Sequence, residues 1–152
     1  MLRLILAWLH LVALAIGFGA VYSRGRTLAE RPLTLRDVRR AFIADSWWGV
    51  AALLWLVTGL WRLFAGTEKS PSYYQHNSVF MVKMALFLGV LALEIWPMIT
   101  LIKWRRAARE GWQPDESAAA KIKTISFLEA GVLVLIVLAA SAMARGYGSS
   151  AP

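Results

Sequence analysis

Four long apolar runs decide what this chain can fold into. The first extends from Leu4 to Tyr22 and is interrupted only by His10. The second covers Ser46 to Leu63, with no charge before Arg62. The third, Val79 to Ile102, carries Lys83, Glu94 and Pro97, and the fourth, Thr124 to Ala144, carries Glu129. As helices rising 1.5 Å per residue, the runs reach about 27–36 Å, enough to cross the hydrocarbon core of a bilayer. The ten-residue alternation that marks a membrane barrel is absent. With 59% of 152 residues hydrophobic and 17% charged, a soluble globule and a disordered chain are both excluded. The chain reads as all-α, an integral membrane four-helix bundle. It is expected to be a single membrane domain over 1–152 with helices at about 4–22, 46–63, 79–102 and 124–144.

The charges orient the bundle. Residues 23–44 carry Arg24, Arg26, Arg31, Arg36, Arg39 and Arg40, and residues 103–123 carry Lys103, Arg105, Arg106, Arg109, Lys121 and Lys123. The opposite side has Arg3, Arg62, Lys69 and Arg145. With four spans the two basic loops share a side, which the positive-inside rule makes cytoplasmic. Both termini are then expected on the outer, periplasmic side of a bacterial inner (cell) membrane. The formal charge of +8 is explained by topology and anionic lipid, so no nucleic-acid partner is expected. Ala13-Leu14-Ala15 gives the first run some likeness to a secretory leader. Cleavage there would leave three spans and turn both basic loops outward, against the charge rule, so the run is expected to stay as a span.

Within the first basic loop, Thr34 and Asp37 have capping-box spacing. Leu35, Val38 and Phe42 form an apolar stripe with Arg36, Arg39 and Arg40 on the other faces. This predicts a short helix over about 35–44 lying on the inner membrane surface. Tyr22, Trp47, Trp48 and Trp104 are expected at the inner boundary, and Trp61, Tyr73 and Tyr74 at the outer one. Trp8, Trp55 and Trp96 fall deeper, where packing is the expectation.

Four ionisable side chains interrupt the apolar runs: His10, Lys83, Glu94 and Glu129. Each costs roughly 2–4 kcal/mol at mid-bilayer unless paired or wet, so each marks a candidate site. Helical rise places His10 and Lys83 at one outer level, and Glu94 and Glu129 deeper, nearer the basic loops. Lys83 and Glu94 are 11 positions apart, so they project from one face of the third helix. His76 would share that face. Lys83 is near enough to the surface to snorkel outward, and His10 could simply bond a neighbouring helix. Glu129 lies within reach of Lys121 or Lys123.

A neutral imidazole ligates iron, and helix bundles house haem between facing helices. His10 is therefore a candidate haem-iron ligand, with Lys83 available to a propionate and His76 nearby. The usual pair of histidines at i and i+13 or i+14 on one helix is missing. No cysteine is present, which removes disulfides, thiolate zinc, iron–sulfur clusters and thiol catalysis. Neither a nucleophile–base pair nor a phosphate-binding loop is present.

Trp8-Leu9-His10, Thr58-Gly59-Leu60-Trp61 and Phe80-Met81-Val82-Lys83, in this order, make the chain resemble an uncharacterised bacterial family of small four-helix inner-membrane proteins, a domain of unknown function. The likeness covers about residues 2–145. More distantly the chain is similar to HemJ-type protoporphyrinogen oxidases and CopD-like membrane domains. The HemJ resemblance implies haem b, a porphyrin or quinone partner, and roles for His10 and Lys83. The chain departs from that pattern at Ala20-Val21-Tyr22-Ser23-Arg24, and again at Leu93-Glu94-Ile95-Trp96, where HemJ proteins carry a Tyr-His pair. Three readings stand: an assembly or accessory subunit without a catalytic motif, alone or in a homo- or hetero-oligomer; a haem b redox protein; and a small transporter or ion pathway through Lys83, Glu94 and Glu129. The first is placed ahead because the haem ligand set is incomplete.

Overall fold

The computed structural model describes residues 1–65, 74, 76–108 and 115–148. Four helices run through them: α1 (Leu2–Thr27), α2 (Leu35–Phe64), α3 (Ser78–Ala107) and α4 (Glu116–Ala144). All four are long and apolar enough to cross a membrane. Each outruns its apolar segment, because the helical hydrogen-bond ladder continues past the hydrocarbon boundary until a capping residue stops it. Thr34 and Asp37 form the expected capping box at the start of α2. Asn77 accepts from the Phe80 amide at the start of α3. Asp115 accepts from the Ser117 and Ala118 amides at the start of α4. Hydrogen bonding to Ser117 first, and then to these amides, holds the Asp115 carboxyl below the usual carboxylate range.

The surface helix expected over 35–44 is not a separate element. It forms the first turns of α2, which runs unbroken for 30 residues. No glycine or proline lies between Leu35 and Trp48 to stop propagation. Of its apolar stripe, Val38 is fully buried and Phe42 partly so, while Leu35 is exposed.

α1 is the central helix. It packs along α2 and against α4, α3 packs against α4, and α2 and α3 scarcely touch. The reason lies in the α1 face Leu6, Ala13, Gly17, Ala20 and Val21, all buried and mostly small. Small residues bring helix backbones close in lipid, where dispersion replaces the hydrophobic effect as the packing force. Gly17 meets the ring of Trp48, and a Cβ there would stand 3.0 Å from that ring. Gly25 sits similarly against Phe127 and Ser126 of α4.

Two apolar cores follow one another along the bundle. The larger gathers Ala13, Val21, Trp48, Trp55, Val90 and Leu133. The smaller, at the end carrying the basic loops, gathers Leu28, Val38, Leu101, Trp104 and Ile122. Outside them the surface is apolar, with Leu4, Leu11, Leu53, Leu88 and Leu138 all more than half exposed. Only 17% of the most apolar stretch of α3 is buried inside the protein, so this helix turns most of its surface to lipid. The chain is a multi-pass membrane protein in contact with the bilayer.

The aromatic expectations divide. Tyr22 and Trp61 are about half exposed near helix ends, as a headgroup belt requires, and Trp47 is equally exposed but lies well inside α2. Trp48, Trp104 and Tyr74 are buried, so they pack. Trp8 is 59% exposed and meets lipid, contrary to the packing role expected of it. Lys69, Tyr73 and Arg109 lie outside the described residues.

Candidate functional site

The sequence placed ionisable groups at two levels, and the structure builds a different arrangement at each. At the level nearer the basic loops the centre is Arg24, which sequence reasoning had counted as a loop charge. Its side chain has no exposed surface. Arg24 lies on the same face of α1 as Gly17, Ala20 and Val21, one turn further on. The close approach of Gly25 to α4 brings its guanidinium among the other helices. It grips Glu94 of α3 with a two-pronged fork, Nη1 to Oε1 and Nη2 to Oε2, both at 2.7 Å. Nη2 also donates to Glu129 of α4 at 2.8 Å, and Nε to Ser126 at 2.9 Å. Nη1 donates to Asp45 of α2 at 3.0 Å. One cation thus ties all four helices together.

A second cation extends the cluster. Arg105 Nη2 donates to the other Asp45 oxygen at 2.9 Å and to the Phe42 carbonyl at 2.7 Å. Asp45 therefore bridges two guanidiniums. Glu129 does not pair with Lys121 or Lys123 as expected, because Ser126 and Glu129 lie one turn apart on the face of α4 that meets α1. Lys121 instead lies over the Trp96 ring, 4.9 Å from its centroid. Glu94 meets another helix and not lipid. Asp45 was missed in the sequence because it follows an alanine at the edge of an apolar run. The cluster lies between the two apolar cores, so it sits inside the bundle and not at its end.

At the other level, His10 and Lys83 line one cavity of about 120 Å³ between α2 and α3, the pair of helices that scarcely touch. Trp55, Gly59, Arg62 and Phe87 supply more of its wall. Gly59 packs closely on His10: a Cβ there would stand 3.3 Å from the imidazole, which would have to shift by a few tenths of an ångström. His10 Nδ1 lies 2.9 Å from Thr58 Oγ1. That hydroxyl donates to the Leu54 carbonyl at 2.7 Å, so it accepts from the imidazole N–H. The neutral ring then presents Nε2 as its acceptor. The Trp55 ring lies 5.7 Å from the His10 ring, and its indole N–H is buried with no acceptor among the described residues. Lys83 is half-buried with its ammonium 5.8 Å from the Phe80 ring centroid. His76 is exposed and stands off the cavity wall.

A family model described as "Predicted membrane protein (DUF2214)" matches residues 2–148. The chain belongs to this family. No curated protein and no solved structure matches it. A likeness to HemJ-type oxidases and CopD-like domains is not shown by these comparisons, and DUF2214 membership itself assigns no chemistry.

The residues present do not fit haem b. The cavity, at about 120 Å³, is close in size to one that takes benzene, whereas pockets for drug-sized ligands run to about 300–1,000 Å³. His10 is the one histidine on its wall, and His76 cannot serve as a second ligand from outside it. The ion-pathway reading gains no support from the geometry. Val21, Trp48, Val90 and Leu133 fill the layer between the two polar levels, all buried to 4% exposure or less. Among the described residues no polar chain links Lys83 to Glu94 through that layer.

Proposed function

We propose that this DUF2214 protein is an accessory protein of the bacterial inner membrane that binds the head of a single anionic amphiphile. The observation that carries this reading is the cavity between α2 and α3, where two cationic side chains, Arg62 and Lys83, meet aromatic walls. Its volume suits a headgroup or one ring, so the rest of the ligand would lie between α2 and α3 in the lipid. Arg62 and Lys83 both sit near the same helix ends, where an anion arriving from the headgroup layer would be drawn in.

The test is thermal unfolding in mild detergent with a medium-chain carboxylic acid and with the alcohol of equal chain length. Ligand at about 100 times its Kd should stabilise the fold by about 2.7 kcal/mol. The acid should stabilise and the alcohol should not, and Lys83→Met should abolish the difference. Equal effects of acid and alcohol, or an undiminished effect in Lys83→Met, would reduce the cavity to a generic lipid contact.

In the same reading both termini face the periplasm. Arg24 no longer counts as a loop charge, yet the two basic loops remain far richer in Lys and Arg than the opposite side. Reporter fusions check this: a periplasm-dependent reporter should be silent after Leu35 or Asp115. Activity at either position would reverse the topology.

A further inference from the structure

We infer that the Arg24 cluster is a proton-binding site, in which the Glu94–Glu129 carboxyl pair holds one exchangeable proton. The charge count points to it. Arg24 from α1 and Arg105 from α3 supply two cations, while Asp45 from α2, Glu94 from α3 and Glu129 from α4 supply three carboxyls. Ser126 of α4 is the remaining polar partner.

The contacts identify the carboxyl in surplus. Each Asp45 oxygen has its own guanidinium. Glu94 occupies the Arg24 fork with both oxygens. Glu129 receives a single contact from the same guanidinium, on Oε2, and its Oε1 is buried with no partner among the described residues. The Glu129 side chain has no exposed surface. An ionised carboxylate with an open oxygen in that position would be desolvated and uncompensated. Glu94 Oε2 and Glu129 Oε2 both accept from the same Arg24 Nη2, so the two carboxyls lie side by side, where each opposes ionisation of the other. The guanidinium lies among the three carboxyls and contacts each of them. The buried Arg24, the part-exposed Arg105, two carboxylates and one protonated acid then balance.

Removing either glutamate charge brings the count to two against two, but the two removals differ structurally. Glu129→Gln replaces a neutral acid by a neutral amide of the same shape. Glu94→Gln breaks the fork. The experiment is infrared spectroscopy of the full chain in lipid at neutral pH, with H2O/D2O exchange, beside thermal unfolding of both variants. The wild type should show a protonated-carboxyl C=O band that shifts on deuteration and is lost in Glu129→Gln and in Glu94→Gln. Glu129→Gln should unfold at the wild-type temperature and Glu94→Gln well below it. A wild-type spectrum without that band would overturn the inference. So would a Glu129→Gln variant that fails to fold or falls as far as Glu94→Gln, because a neutral amide should be accepted wherever a neutral acid already stands.

Discussion

Arg24→Leu should be among the most destabilising single substitutions in this protein, at about 3–5 kcal/mol, the usual result of removing one partner from a buried ion pair. Three of the four helices would lose their shared cation, and Glu94 would be left buried without the fork that compensates it. Arg24→Lys should recover only part of the loss, because a point charge cannot make two parallel bonds to one carboxylate. The cluster nevertheless need not contribute net stability. Replacing the whole set, Arg24→Met with Glu94→Leu and Glu129→Leu, removes the charges together and should restore most of what Arg24→Leu alone loses. Asp45 keeps Arg105 in that variant. Reversible unfolding in mixed micelles would measure all three proteins. If Arg24→Leu unfolds like the wild type, the guanidinium is not the fourfold tie described above.

The fold was largely legible in the sequence, and the partnerships within it were not. Four apolar runs predict four helices because only helices and closed barrels satisfy backbone hydrogen bonds in lipid, and the alternation of a barrel is absent. The same apolarity hides which face of each helix is turned inward, since lipid-facing and core-facing positions are both hydrophobic. His10 and Lys83 could be placed at one level because helical rise converts position into depth. Their shared cavity also depends on the gap between α2 and α3, which only packing reveals. Arg24 was misjudged because five further arginines follow it before residue 44 and make the whole stretch resemble a solvated loop. The clue lay in register. Gly17, Ala20, Val21 and Arg24 follow one another at helical spacing, so the small-residue stripe points straight to the arginine. Two buried glutamates, with no cation yet assigned to them, pointed the same way. Asp45 carried no comparable signal. The length of α2 was misread for a local reason: amphipathic periodicity marked Leu35 to Ala44, but the absence of a breaker before Trp48 should have joined it to the span that follows.

The close seat of Trp48 on Gly17 gives a further large effect, one that works through dispersion and not charge. A Cβ at residue 17 would stand 3.0 Å and 3.3 Å from two ring atoms of Trp48 and 3.5 Å from the Ala51 Cβ. Trp48 is only 4% exposed and belongs to the larger core, so its ring cannot swing aside without opening that core. Gly17→Leu must therefore push α1 away from α2, the most extensive helix pairing in the bundle, and overpacking of this kind costs about 1–3 kcal/mol. Trp48→Ala should cost about 3 kcal/mol, at the low end for a buried tryptophan, because in lipid the apolar transfer contribution falls away and the lost contacts remain. The two effects should not add. Removing the ring makes room at residue 17, so the double variant Gly17→Leu with Trp48→Ala should be more stable than the sum of the single losses predicts, by about 0.5–3 kcal/mol. Unfolding of the four proteins in one detergent closes the cycle. Strict additivity would mean that the α1–α2 distance is set elsewhere, and the small-residue face of α1 would lose its place as the reason Arg24 reaches its carboxylates.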